Sequence, residues 1–326
     1  MSSTIVGTGS YVPEHVVTND ELQDRVNTDS AWVEEQLGIK ERRILDTGRT
    51  TSDMAVIAAQ RALSHAGISV RDVDLIIVAT ATPDRIAPST ATIVQHKLGA
   101  IWAAAFDLNA VCTGFLYAAH IANQFVNNDV YRNVLVIGAD TFSRITDWTD
   151  RKCVFFGDGA GAVVIRKSKV DGGFIGTNLY ADGSGRDGFT VPAGGVECPT
   201  TPSTLALSLG KFHMDGKAVF RTAITVLPEA ISQILDSNGY AVSDIDWVIP
   251  HQPSIKILRK TAEIAGIPFN KVCTNMDKYA NTSGATVPLL LDEKVKDGTI
   301  QKGNLLLFLA VGSGWTWGAS LMRWTL

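Results

Sequence analysis

The sequence predicts an α/β fold built from two duplicated halves, and three observations carry that expectation. Amphipathic helical stretches alternate with short apolar strands. One unit of helix, glycine, acidic turn and strand is written twice. Small-residue turns lead from strand to helix at corresponding places in both copies. With 326 residues, 45% hydrophobic and 19% charged, the chain can close a large core as one domain or as two halves.

The first unit is RALSHAGISVRDVDLIIVAT (61–80) and the second QILDSNGYAVSDIDWVIP (233–250). Their acidic turns, Asp72-Val73-Asp74 and Asp244-Ile245-Asp246, lie 172 residues apart. The apolar strands VLVIGAD and LLLFLAV start at Val134 and Leu305, 171 apart. Between them VCTGFLYAA (111–119) corresponds to NTSGATVPL (281–289), with Gly114 and Gly284 170 apart. Chance likeness between short α/β units is the weaker explanation for offsets this close. The halves are expected at 1–170 and 171–326, with mainly parallel sheets covered on both faces.

A net charge of −4 gives no global basic footprint for nucleic acid. The N-terminus has no basic segment leading into a long apolar core, and LLLFLAV is far too short to span a bilayer. The expectation is a soluble, cytoplasmic protein without a membrane partner. Cys112, Cys153, Cys198 and Cys273 are scattered with no CxxC pair, so neither a disulfide framework nor a zinc site is favoured. IVGTGS (5–10) has the glycines of a dinucleotide loop, but Tyr11-Val12-Pro13 stands where a helix should begin. FGDGAGAVVI (156–165) lacks a phosphate-loop lysine, and the six histidines show no metal spacing. No metal or redox cofactor is expected.

In such folds, reactive groups sit where strands end and helices begin. Cys112 in DLNAVCTGF occupies such a turn, His251 follows the strand DWVIP, and Asn281 opens the turn related to that of Cys112. A thiol at a helix N-terminus gains thiolate character. A covalent thioester enzyme needs that nucleophile plus donors for a carbonyl oxygen and an oxyanion hole. Neutral His251 and the Asn281 amide can donate to a developing enolate. The backbone N–H groups of Cys112 and Ser313, the latter in GSGWTWG, can serve the oxyanion. Each residue also has a plain role open to it: buried thiol, satisfied histidine, helix-capping asparagine, turn-forming glycines.

Six segments together resemble the 3-ketoacyl-(acyl-carrier-protein) synthase III family of thiolase-like condensing enzymes, across essentially the whole chain. They are GIKERR (38–43), DLNAVCTGFLYA (107–118), FFGDGAGAVV (155–164), VIPHQPS (248–254), YANTSGATVPL (279–289) and GWTWGASL (314–321). The resemblance implies a thiolase-like five-layer αβαβα fold, a homodimer and a ping-pong reaction. An acyl-CoA would acylate Cys112; a malonyl thioester on acyl carrier protein (ACP) would lose carbon dioxide, and its enolate, held by His251 and Asn281, would attack. Acyl-CoA and malonyl thioester are then substrates, and no cofactor is implied.

The resemblance also assigns Trp32 and Arg151 to CoA adenine, and Arg221 and Lys256, with Arg259 and Lys260 nearby, to the carrier protein. The chain departs from the family pattern in four places: Gln36-Leu37 replaces Arg-Thr, Glu263-Ile264 replaces two lysines, Ser254 replaces an asparagine, and Ala87 replaces an aromatic residue that in the family reaches the partner subunit's acyl pocket. Ala87 implies a primer larger than acetyl, and the departures lean toward a specialised pathway such as starter-unit loading. Acyl transfer to an oxygen or nitrogen acceptor without decarboxylation is the alternative, and a non-catalytic scaffold the third.

Overall fold

The computed structural model describes residues 2–326. It opens with β1 (Ser3–Tyr11), β2 (Val16–Thr18), helices α1 (Asn19–Gln23) and α2 (Ser30–Leu37), and β3 (Glu41–Arg43). Helix α3 (Thr51–Ala66) leads to β4 (Leu75–Ala79), α4 (Thr90–Leu98) and β5 (Ala104–Leu108). Helix α5 (Gly114–Asn127) precedes β6 (Val134–Thr141) and β7 (Asp158–Lys167). The plan then recurs through β8 (Gly173–Ala181), the short pieces β9 (Phe189–Thr190), α6 (Pro202–Ala206) and β10 (His213–Met214), and the long helix α7 (Gly216–Asn238). It finishes with β11 (Trp247–Pro250), α8 (Ile255–Ala265), α9 (Met276–Tyr279), α10 (Thr286–Lys296), β12 (Leu305–Gly312) and β13 (Thr316–Arg323).

The first sheet runs β1-β7-β6-β4-β5 and the second β8-β13-β12-β11. The sheets are mixed and not mainly parallel: β4 pairs in parallel with β5 and β6, and β11 with β12, whereas β1–β7, β6–β7, β12–β13 and β13–β8 are antiparallel. A parallel bridge from Val248 to Val272 stands on the second sheet where β5 stands on the first. All residues of β4, β6 and β12 are buried, which explains their unbroken apolar runs. Helices α5 and α10 fill the layer between the sheets, α3 and α4 cover the first, and α7 and α8 cover the second. Five layers result, as the resemblance implied. By length and composition α7 is apolar enough to cross a membrane, but here Ala223, Leu227, Ala230 and Ile234 pack it on the second sheet.

Strand register fixes the repeat. Leu75 lies opposite Val134 and Trp247 opposite Leu306, and both correspondences span 172 residues. The same step joins the turn Val111–Thr113 to Ser283–Ala285, whose first residues both have positive φ, 47° at Val111 and 52° at Ser283. The match of Gly114 to Gly284 expected from sequence is therefore two residues out. Gly284 is the counterpart of Cys112, and Asn281 that of Asn109. Both asparagines accept at Oδ1 from the backbone N–H two residues on, at 3.2 Å for Asn109 and 2.8 Å for Asn281.

The two halves meet at glycines. A Cβ on Gly138 of β6 would lie 2.1 Å from the Gly284 carbonyl oxygen, and one on Gly161 of β7 2.5 Å from Leu289 N. No side chain fits there, so the α10 turn rests directly on the first sheet. Gly138→Ala should destabilise the protein by about 3 kcal/mol or more through forced backbone separation. Gly195→Ala, with nothing within 4 Å of the added carbon, should cost roughly 0.5 kcal/mol or less. Denaturant unfolding of the two variants checks the difference.

Candidate active site

A cavity of about 260 Å³ is lined by Cys112, His251, Asn281, Gly312 and Ser313, and by Trp32, Gln36 and Lys256 from α2 and α8. Cys112 comes from the first half; His251 and Asn281 come from the second.

Cys112 sits one turn before α5 and is 4% exposed. Burial pushes its thiol up to about 12; the nearby Asp140 charge adds to that, while Ser283, whose Oγ lies 3.8 Å from Sγ, opposes it. The sequence reading of a thiolate held by the helix N-terminus is thus corrected for the resting protein. The α5 terminus is enclosed between the two halves, and desolvation outweighs the dipole. Cys112 rests as a thiol at neutral pH.

His251 is 3% exposed and its backbone N–H donates to Leu309 O at 2.7 Å. Burial pulls its imidazole down to about 3, so it stays neutral through the physiological range. Its Nδ1 has no partner among the described residues. Gln252 braces the turn from behind: Nε2 donates to Pro250 O and Cys273 O at 3.1 and 3.2 Å, and Oε1 accepts from Asn275 N at 3.1 Å. Asn281 is held by its own N–H on Phe155 O and by Gly157 N–H on its carbonyl, both at 3.1 Å. Because Oδ1 already accepts from Ser283 N, the amide Nδ2 is left as the donor. Asn281 therefore closes a local side-chain turn on Ser283 N while presenting an N–H group.

Gly312 ends β12 beside Cys112. A Cβ there would lie 3.1 Å from Cys112 N, so its absence keeps that N–H open to the cavity. Ser313 follows, with its hydroxyl donated to Phe189 O. Further walls are aromatic: Phe155, Phe156, Phe189 and Trp315 line the cavity. Phe156 stacks between Phe142 at 4.6 Å and Phe189 at 5.8 Å. Trp315 is seated on Gly185 and Gly188, where a Cβ would come within 2.0 and 2.5 Å of the indole.

At the mouth, Trp32 and the Arg151 guanidinium stack on each other at 3.9 Å. Lys256 Nζ bonds Gln36 Oε1, so this lysine faces α2 and lines the cavity. Leu37 is buried in the cluster beneath α2. Ala87 lies on an exposed loop and does not line the cavity, nor does Arg221 on the exposed side of α7. Arg259 lies over Phe269 at 4.5 Å, and Lys260 pairs with Glu263 at 2.7 Å, which moderates the basic face. Ser254 caps α8 through Ile257 N.

Sequence reading missed Gln252, Ser283, Asp140 and the aromatic wall. Asp140 had a signal: it is the one acid within the apolar strand VLVIGADT. Among the described residues no cluster of three histidine, cysteine or acidic side chains could hold a metal ion.

Comparison with known proteins fits this arrangement. Residues 106–183 match the family described as 3-Oxoacyl-[acyl-carrier-protein (ACP)] synthase III, and residues 235–324 match its C-terminal region. A beta-ketoacyl-[acyl-carrier-protein] synthase III of Paramagnetospirillum magneticum is 47% identical, over 98% of this chain and 98% of its own. The chain belongs to the 3-oxoacyl-[acyl-carrier-protein] synthase III family. It is thus a thiolase-like condensing enzyme by type. The solved synthase III of Aquifex aeolicus superposes with a TM-score of 0.92 at 40% identity, covering 99% of this chain and all of that one. The priming beta-ketosynthase of the R1128 polyketide pathway gives 0.91 at 32% identity, covering 99% and 97%.

The raised thiol of this synthase III makes a direct prediction. Alkylation of Cys112 by iodoacetamide should accelerate about tenfold per pH unit from pH 7 to 10 without a plateau, since only the thiolate reacts. A plateau below pH 8 would show a thiol of lowered pKa instead.

Proposed function

We propose that the protein condenses an acyl group carried on Cys112 with a malonyl thioester to give a 3-ketoacyl thioester. The observation that carries this is the shared cavity of Cys112, a neutral His251 and an Asn281 held with Nδ2 free, with no carboxylate among the lining residues. Donors without a base suit an enolate formed by losing carbon dioxide, which requires no proton abstraction.

In the first half-reaction the Cys112 sulfur attacks the acyl-CoA carbonyl; its proton leaves with the CoA sulfur, giving free CoA. In the second, the bond from the malonyl methylene carbon to its carboxylate breaks. Carbon dioxide departs, and the electron pair enters an enolate whose oxygen accepts from His251 and Asn281. The methylene carbon then attacks the acyl-cysteine carbonyl, whose oxyanion accepts from the N–H groups of Cys112 and Ser313. Collapse expels the Cys112 sulfur, which regains a proton. The dry walls protect the enolate from protonation by water.

Trp32 and Arg151 are the proposed adenine pair. Their direct stacking means the two must part to admit a base, since a ring between two planes needs roughly 7 Å. Lys256, the one charged side chain lining the cavity, and Arg221 are the proposed contacts for the acyl carrier protein. A homodimer of two-half subunits (1–170 and 171–326) is supported by β5, an edge strand of the first sheet, and by Trp102 just before it, 83% exposed. In that assembly Ala87 would face the partner's acyl site, and its small side chain supports a primer larger than acetyl. The aromatic wall gives such a primer flat surfaces to lie on. Likeness to the R1128 priming synthase supports a starter-unit role, as an alternative to primary fatty-acid synthesis.

Intact-mass measurement after incubation with a panel of acyl-CoAs should show one acyl adduct, lost in Cys112→Ala, with octanoyl or aromatic acyl groups favoured over acetyl. Release of carbon dioxide from malonyl thioester should fall roughly a hundredfold in His251→Ala and Asn281→Ala, the scale of losing one positioned donor, while acylation persists. Transfer of the acyl group to an oxygen or nitrogen acceptor without carbon dioxide release would establish the acyltransferase alternative. No adduct with any acyl-CoA would establish a scaffold.

A further inference from the structure

The 172-residue correspondence pairs every residue around Cys112 with one around Gly284. Asp140, in the penultimate place of β6, corresponds to Gly312, which ends β12; both face the strand-to-helix turn of the other half. Gly312 leaves Cys112 N–H uncovered. Asp140 does the opposite at the counterpart: its Oδ2 accepts from Gly284 N at 2.9 Å. The Asp140 carboxylate thus occupies, in the second half, the position that an oxyanion would take over Cys112 N–H in the first.

Asp140 is wholly buried, and no cation bonds to it. Its Oδ1 accepts from Ala81 N at 2.8 Å, Thr82 N at 3.1 Å, Thr82 Oγ1 at 2.9 Å and Thr80 Oγ1 at 3.1 Å, which ties it to the end of β4. Oδ2 is left for the opposite half. Gly284 follows Ser283, whose N–H orients the Asn281 amide and whose hydroxyl lies against the Cys112 thiol. One carboxylate therefore spans from the first sheet to the turn that carries the proposed enolate donor.

We propose that Asp140 is the positioning residue that fixes the Asn281–Ser283 turn against Cys112, by placing its carboxyl group in a second, closed copy of the oxyanion hole. The inference rests on the condensing function proposed above. Three donors come from backbone N–H groups, an arrangement that a carboxylate satisfies and an amide side chain cannot satisfy on both atoms. Burial pushes the Asp140 carboxyl up and the N–H groups of Gly284 and Ala81 oppose that; in its charged form it raises the Cys112 thiol. Of the other titratable groups around Cys112, His251 is neutral, Asp107 on β5 is turned to the α4 N-terminus through Thr90 N and Ala91 N, and Lys256 stands at the mouth.

Asp140→Asn tests the assignment with two readouts. Removing the negative charge stabilises the Cys112 thiolate, so the iodoacetamide profile should move to lower pH. Releasing the turn should lower carbon dioxide release by roughly a hundredfold, the scale of an ångström-sized misplacement, with acylation of Cys112 falling less than about tenfold. An unshifted alkylation profile with equal loss of both half-reactions would overturn the proposal and leave Asp140 a packing residue. Should the variant not fold, hydrogen exchange on the wild-type protein decides: Gly284 N–H should be among its slowest amides, and exchange as fast as at Gly195 would refute the buried anion contact. Neither alkylation nor exchange needs turnover. Wild-type enzyme that releases no carbon dioxide would therefore count against the condensing function, not against this contact.

Discussion

Everything at this site depends on the close approach of two strand-to-helix turns, one from each half. That approach exists because β6 and β7 carry Gly138 and Gly161 where α10 and its turn settle. A methyl group at either place would meet backbone atoms well inside contact distance, and backbone has nowhere to rotate away. With the gap closed, α5 and α10 become a shared middle layer, and Cys112 shares one cavity with His251 and Asn281. The same closure removes water, which drives the thiol up and the imidazole down.

The dryness has chemical consequences that agree with one another. A buried neutral histidine is a hydrogen-bond donor at every physiological pH and cannot act as a strong base. A buried thiol is unreactive toward solvent-borne electrophiles until a substrate supplies a partner for the negative charge. The proposed oxyanion donors are backbone N–H groups, fixed in place by the 3-10 turn before α5 and by the end of β12, so little reorganisation would accompany the chemistry. The duplicated frame places two counterpart turns at one site: one holds the Cys112 thiol, and the other holds Gly284 under the Asp140 carboxyl.

Much of this was legible in the chain. The repeat showed in the twice-written helix–acidic turn–strand unit, and Cys112, His251 and Asn281 each stood at a predicted strand end. Register was not legible to the residue, because small-residue turns align equally well two positions apart until paired strands fix them. The thiol's state was misread because a helix N-terminus is visible in sequence while its burial is not. Asp140 was overlooked because an acid in an apolar strand has no meaning until its donors, from Ala81 to Gly284, are gathered by the fold. Ala87, named for the partner subunit's acyl pocket, lies on an exposed loop of its own subunit, and Lys256, named for the carrier-protein face, bonds Gln36 at the cavity mouth.

The open N–H of Cys112, opposite Gly312, is the proposed oxyanion site, and Asp140 marks its closed counterpart. A crystal structure of the Cys112 acyl-enzyme tests this most directly. The thioester carbonyl oxygen should lie about 3 Å from both Cys112 N and Ser313 N, in the place related by the repeat to Asp140 Oδ2 over Gly284 N. A carbonyl oxygen turned instead toward His251 and Asn281, with Cys112 N–H left empty, would contradict the account.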